Sequence, residues 1–246
     1  MEGRSPAARA GRLMARYLET YQVPRGEMGT LSILAHANAV HNPYAMYRRA
    51  ITAETYAGAG MVCDPLNLFD QAPYADGVAA LLLTSDEEIA RAGGQPLVEV
   101  RASAGAVDAL ALHDRVDALA FSAVTASTQK ALALAGMVLQ QMDIYEVWDA
   151  FSIYGILSVE ANGLAARGTG WRWIAENRDM ALLTLGGNKA RGFPLGAAGV
   201  YQAVEAALQL RGQAGQAQVR GAKNAIIQSM GGPAANVITH ILARVD

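Results

Sequence analysis

Four short stretches bring together side chains that could do chemistry. "HANAVHNPYAMYRR" (residues 36–49) offers two imidazoles, His36 and His41, beside Asn38, Asn42, Tyr44 and Tyr47. An imidazole or a phenol at such a place could move a proton. His36 falls inside an apolar helical pattern, however, where a packed polar residue is the plainer reading. "VWDAF" (residues 147–151) sets Trp148 and Asp149 where a strand hands over to a helix, and α/β sheets often place active sites at such strand ends. Asp149 could equally cap the following helix while its aromatic neighbours fill the core. "GGNKARGFPLGAAG" (residues 186–199) is a glycine-punctuated turn running into an apolar helix. Its glycines, Gly196 among them, allow close backbone approach and free amide donors. The residue at its tip is Phe193, which can neither take nor give a proton. "QSMGGPAAN" (residues 228–236) puts Ser229 just before Gly231 and Gly232, which again expose backbone amides.

Several common chemistries are absent from the sequence. It contains no GxxxxGK[ST] phosphate loop, no HExxH helix and no GxSxG elbow. Residues 192–199 do not match GxGxxG. The one cysteine, Cys63, has no base or helix start beside it that local sequence reveals, so it makes a poor nucleophile candidate. It also excludes an internal disulfide framework and fits a cytoplasmic location.

The elements that must position these stretches follow from periodicity. Residues 7–21 and 26–40 read as helices, the second ending before Pro43. Thr52 is placed to cap a short helical turn. The unbroken apolar run over residues 78–83 predicts a buried strand, followed by a short helix at 86–91. Gly93, Gly94 and Pro96 mark a boundary. Beyond it the pattern gives a strand (97–103), helix (127–135), strand (144–147), helix (151–164), the glycine turn, helix (199–210) and two strands (222–228 and 236–243) joined by Gly-Gly-Pro. Alternating strands and helices with a terminal hairpin predict an α/β layered fold with a mixed sheet. The helix "VYQAVEAALQL" is apolar around much of its circumference, so it is expected between layers.

The chain has 246 residues, 52% of them hydrophobic and 17% charged, enough for a sizeable core. A net charge of −2 gives no electrostatic case for nucleic acid. No window of about 18 apolar residues is present, so no transmembrane helix is expected. High apolar content with low charge suggests surface covered in a homo- or hetero-oligomer.

Taken in order, five boxes resemble the thiolase superfamily, in particular its sterol-carrier-protein and lipid-transfer branch. "HANAVHNPYAMYRRAITAE" resembles the branch's loop signature, and "MVCDPLNLFDQAPYADGVAALLL" the close of the N-terminal half. "EVWDAFS" resembles its DCF box, "GGNKARGFPLGAAGVYQAVEAALQLRG" its GHP box, and "QSMGGPAANVITHIL" its closing glycine hairpin. The resemblance implies a thiolase-like layered fold with a mixed five-stranded C-terminal sheet and a buried helix. It also implies three regions: a helical loop region (residues 1–60), the last strand and helix of the N-terminal half (61–93), and a C-terminal domain (94–246). The first part of the N-terminal half, with the family's nucleophilic cysteine, has no counterpart in the sequence.

The departures carry the functional reading. The family's GHP histidine corresponds to Phe193, its oxyanion-site Asn or His to Trp148, and its second cysteine to Gln228 or Ser229. Thiolysis needs a thiolate, a base and donors around a developing oxyanion. Losing one donor or base typically costs a hundredfold or more in rate. The resemblance therefore implies a coenzyme A thioester as substrate, with no covalently bound cofactor and no metal. The route would be a non-standard one, aldolase-like or thiolase-like, working in an assembly that could include a zinc-ribbon/OB-fold subunit. Tyr44, Tyr145, Tyr154 or Ser229 would then supply a proton or a hydrogen bond. A non-catalytic scaffold subunit or a truncated fragment is the alternative.

Overall fold

A computed structural model describes residues 5–245. Helix α1 (Pro6–Tyr21) starts where Ser5 Oγ accepts the amide of Ala8 at 3.1 Å, with proline in its first turn. Ala10, Leu13, Met14 and Tyr17 form its buried stripe, while Arg9, Arg12 and Arg16 face outward. A single 3₁₀ turn leads into α2 (Thr30–Ala39), and Thr52 caps α3 (Ala53–Ala57) as its sequence suggests. A small antiparallel pair follows, β1 (Met61–Cys63) with β2 (Leu66–Asn67), and then α4 (Glu87–Arg91).

The remaining elements build the layered body. They are β3 (Leu97–Val107), α5 (Ser122–Ala135), β4 (Ile144–Glu146), α6 (Ser152–Ala161), α7 (Gly170–Glu176), α8 (Gly187–Arg191), α9 (Ala198–Leu210), β5 (Asn224–Gly231) and β6 (Asn236–Val245). The sheet order is β3-β6-β5-β4; β6 is antiparallel to both neighbours and β4 is parallel to β5. Side-chain alternation then sorts the faces. Ile226, Val237 and Ile241 pack with α5, whereas Ala225, Ile227, Leu242 and Ile144 pack with Ala206 and Leu210 of α9. Helix α6 is buried along nearly all its length, from Ser152 to Glu160.

Three expectations change. The sheet has four strands among the described residues, not five. The fifth position is reduced to the parallel bridge Tyr145–Leu182. Leu183 turns into the left-handed region (φ 52°) and Thr184 gives its amide to the Glu146 carboxylate, so the chain leaves the sheet at once. Residues 78–83 form no strand: Val78, Leu82 and Leu83 are 85%, 93% and 74% exposed. An apolar run becomes a strand only against a neighbouring edge, and no described residue offers one. Finally, α9 is not buried all round. It buries Gln202, Glu205 and Gln209 and turns Val200 outward. The helix truly enclosed between layers is α6.

No helix among the described residues is long and apolar enough to cross a membrane.

Candidate functional site

The three departing positions meet. Trp148 from the end of β4, Phe193 and Gly196 from the turn before α9, and Ser229 and Gly231 from the end of β5 line one depression of about 420 Å³. Phe193 is clamped by two rings, edge-on to Trp148 with centroids 5.5 Å apart and stacked on Tyr74 at 6.0 Å. Its backbone is fixed as well: its amide donates to Pro73 O at 2.8 Å and its carbonyl accepts from Ala75 at 3.2 Å. Strand alternation decides which of Gln228 and Ser229 belongs to the cleft. Gln228 points to the α5 face, where Nε2 donates to Thr128 Oγ1 (3.0 Å) and Thr239 Oγ1 (2.9 Å). Ser229 faces α9, so close that a Cβ on Gly199 would come within 3.0 Å of its Oγ. No side chain caps the first turn of α9, and Leu195 just before it holds φ 50°. A non-glycine residue in that region is uncommon outside constrained sites. The cleft therefore offers aromatic walls, the Ser229 hydroxyl, the Asn236 amide and the backbone of the turn at Leu195 and Gly196 that leads into α9. None of its lining side chains is acidic or basic.

Asp149 lies one residue beyond Trp148 but outside the cleft. It is fully buried and accepts the amides of Asn188 (2.7 Å) and Lys189 (3.0 Å). It is a cap, yet not for the helix that follows it in sequence: it closes the start of α8, some forty residues on. A Cβ on Gly187 would collide with the carboxylate, and Gly187 holds φ 52°, so glycine is required there. Burial pushes the Asp149 carboxyl up, against the pull of Lys189 and the two amides. Lys189 is itself buried, and its Nζ donates to the carbonyl of Asp70. Desolvation pushes its ammonium down to about 8, while Asp70 and Asp149 pull the other way. The Asp70 carboxylate completes the knot, accepting Ser152 Oγ (2.5 Å), Tyr56 Oη (2.9 Å) and the Asn67 amide (2.9 Å). This charged knot anchors α8, and α8 leads through Gly192 (φ 111°) directly to Phe193.

Other residues singled out by sequence fall elsewhere. His36 is buried on α2; its Nδ1 lies 3.2 Å from Arg49 O, with Tyr47 stacked on it and Phe69 edge-on. Burial pushes its imidazole below the ordinary value, so it packs as a neutral ring. Tyr44 is 82% exposed and lines no part of the cleft. Tyr145 donates to Leu139 O at 2.9 Å and is pushed up to about 12 by burial and then by Asp143. Tyr154 is buried against Phe121 and Phe151. Gly232 holds φ 60° in the β5–β6 turn. Two residues escaped the sequence reading. Tyr74 follows Pro73 in a stretch to which the sequence pattern assigns no element, and Lys189 sits in the glycine-punctuated turn before Phe193.

An aromatic cleft thus lies at the sheet end, between the turn that leads into α9 and the closing hairpin. Residues 104–244 match the family described as thiolase C-terminal domain-like, and the chain belongs to it. Acetyl-CoA acetyltransferase of Methanothermobacter thermautotrophicus is 38% identical over 234 residues, covering 93% of this chain and 61% of that protein. Human (Homo sapiens) sterol carrier protein 2 is 28% identical over 232 residues, covering 91% of this chain and 42% of that one. The chain thus spans about three-fifths of the length of the acetyltransferase it matches (61%). Among solved structures, the Ltp2-ChsH2(DUF35) aldolase superposes with a TM-score of 0.85 at 21% identity, over 98% of this chain and 64% of that chain. A monomeric SCP2-thiolase like protein type 1 from Mycobacterium smegmatis gives 0.76 at 20%, over 98% and 51%. These two likenesses establish the fold: the expected thiolase-like layers are present.

Proposed function

We propose that this chain is an acyl-CoA-handling component that makes or breaks a carbon–carbon bond beside a thioester, in an assembly and without cysteine–histidine chemistry. The observation that carries the reading is the convergence of Trp148, Phe193 and Ser229 in one cleft that lacks any acidic or basic side chain. The acyl-CoA substrate class rests on the family and on relatives named acetyl-CoA acetyltransferase. The aldol direction draws on the likeness to a structure titled as an aldolase.

Aldol cleavage suits such a cleft because it needs no thiol and no oxidant. The 3-hydroxyl of a 3-hydroxyacyl-CoA gives up its proton and the C2–C3 bond breaks. The electron pair moves onto C2 as the thioester enolate, which then takes a proton. The products are a carbonyl compound and a shortened acyl-CoA. Charge develops on the thioester oxygen, where the Ser229 hydroxyl and the backbone of the turn at Leu195 and Gly196 would act as fixed donors. Trp148, Phe193 and Tyr74 would shield that oxygen from water. The base comes from outside the cleft's own side chains, which is why the reading requires an assembly. The clamping of Phe193 between two rings favours the second reading, a scaffold subunit that binds without turnover.

The test combines the full chain with a zinc-ribbon/OB-fold subunit and follows a 3-hydroxyacyl-CoA by chromatography. Turnover is expected, and Ser229→Ala should lower kcat by about tenfold to a thousandfold while leaving the unfolding midpoint unchanged. Thioester binding without turnover would select the scaffold reading. No binding of any acyl-CoA would end both.

A further inference from the structure

Behind the cleft, on the α9 side of β4, lies a second polar cluster that the proposed chemistry does not use. Glu146, fully buried, takes the Thr184 amide and Thr184 Oγ1 on its Oε1, each at 2.8 Å. Glu205 of α9 pairs with Arg191 of α8 at 2.5 Å, with 6% and 2% of the two side chains exposed. Arg191 also donates to Asn188 Oδ1 at 2.7 Å and lies 5.0 Å over the Tyr201 ring. Gln202 Nε2 reaches the carbonyls of Glu146 (3.2 Å) and Val147 (3.1 Å), which ties α9 to the strand end that carries Trp148.

Two features remain unbalanced. Glu205 takes the one guanidinium of the cluster and no ion pair reaches Glu146, which leaves a second buried carboxyl whose negative charge burial would make costly. In addition, four buried polar atoms have no protein partner: Glu146 Oε2, Gln202 Oε1, Arg191 Nε and Asn188 Nδ2. Because Glu146 Oε1 already accepts twice, a proton on this carboxyl sits on Oε2 and turns it into a donor, which leaves Gln202 Oε1 as the acceptor of the set. One water that accepts from Arg191 Nε and Asn188 Nδ2 and donates to Gln202 Oε1 suits that set, the second lone pair of Gln202 Oε1 taking the Glu146 proton. It suits neither a cation, which the donors would repel, nor an anion, which Glu205 would repel.

We infer that Glu146, Glu205, Arg191, Asn188 and Gln202 form a built site for one proton and one internal water. The proton removes the residual charge, and the proton and the water together meet the four unpartnered atoms. The charged groups around the site agree with this. Arg191 from α8 attracts the negative form, whereas Glu205 from α9 disfavours it, and Asp149 raises Glu205 in turn. Lys189, on the far side, is matched to Asp149 and Asp70. Burial, the largest cause, pushes Glu146 up to about 8 from an ordinary 4.5.

The sign of the pH effect follows. The folded chain keeps this proton over a window in which the unfolded chain has lost it. Stability therefore falls as pH rises from near 4.5 to about 8. Glu146→Gln keeps the shape and removes the titration. The ratio of wild-type to variant unfolding constants should rise about tenfold per pH unit across that window. Carboxyl-carbon NMR of the Glu-labelled full chain provides the independent reading. One glutamate resonance should hold its protonated shift to about pH 8 and vanish in Glu146→Gln. A long-lived water should show cross-relaxation to the Thr184 amide. If every glutamate titrates near its ordinary value, or if no long-lived water is seen, the proposal is overturned. The NMR titration of the wild-type chain decides even if the variant does not fold.

Discussion

If Asp149 is the cap of α8, its removal should unfold the site's foundation rather than slow a reaction. In Asp149→Ala the amides of Asn188 and Lys189, at 2.7 and 3.0 Å from the carboxylate, lose their acceptor in a place water does not reach. A hydrogen bond to a charged group contributes about 1.5–3 kcal/mol, so two would account for about 3–5 kcal/mol with some overlap. Lys189 also loses a counter-charge while still buried, and breaking a buried pair costs about 3–5 kcal/mol by itself. The two costs share the same carboxylate and do not add. We expect a net loss of about 3–5 kcal/mol, or on the order of 10 °C in Tm for a chain of this size. Lys189→Met should cost less, about 1–3 kcal/mol, because Asp149 keeps both amides. The double variant should show a coupling of at least about 1 kcal/mol. Urea unfolding at neutral pH measures all three, and amide exchange over Asn188–Arg191 locates the effect. A loss below about 1 kcal/mol for Asp149→Ala, with α8 amides still protected, would refute the capping argument. So would an Asp149→Asn variant that folds with full stability yet loses turnover, the behaviour of a catalytic carboxylate.

Two further outcomes follow from the same geometry. Phe193→His should give no thiolysis of acetoacetyl-CoA in a thiol-release assay, because Cys63, the only cysteine, lies against Gly11 of α1 and away from the cleft. The change should cost about 1 kcal/mol through the contacts with Trp148 and Tyr74; any thiolysis above the wild-type background would refute it. Leu82→Asp should leave the chain's own stability within about 0.5 kcal/mol, since that side chain is 93% exposed. A larger loss on urea unfolding would mean that residues 78–83 pack in a way their exposure does not show.

What the sequence makes legible here is what depends on local pattern. The ordered boxes point to the fold, and they point to Trp148, Phe193 and the Gln228/Ser229 pair as one site. Trp148, Phe193 and Ser229 do line one cleft, because sheet ends and the turn before α9 bring those boxes together. Choosing between Gln228 and Ser229 needs the face of β5, which is set by Ala225 and Ile227 packing on α9. Alternation along the strand would have supplied the answer once that face was known. The capping role of Asp149 was open to local reasoning, but its target was not, because α8 is distant in sequence and adjacent only in space. The same limit hides Lys189, whose partners Asp70 and Asp149 are distant in sequence.

The failures at residues 78–83 and in α9 share a cause. In both, apolar composition points to burial, whereas burial is set by what a neighbour requires. The run 78–83 is apolar enough for a central strand, yet a strand's backbone groups need an edge to pair with. Helix α9 looks apolar all round, yet it turns Gln202 and Glu205 inward because Glu146 and Val147, at and just past the end of β4, present carbonyls and α8 presents Arg191. Those polar residues serve as partners for groups that would otherwise be buried without one. The cleft follows the same rule in reverse: with no acidic or basic side chain on its walls, any charge that develops there must be met by neutral donors, the Ser229 hydroxyl and the backbone among them, or by groups carried in by another subunit.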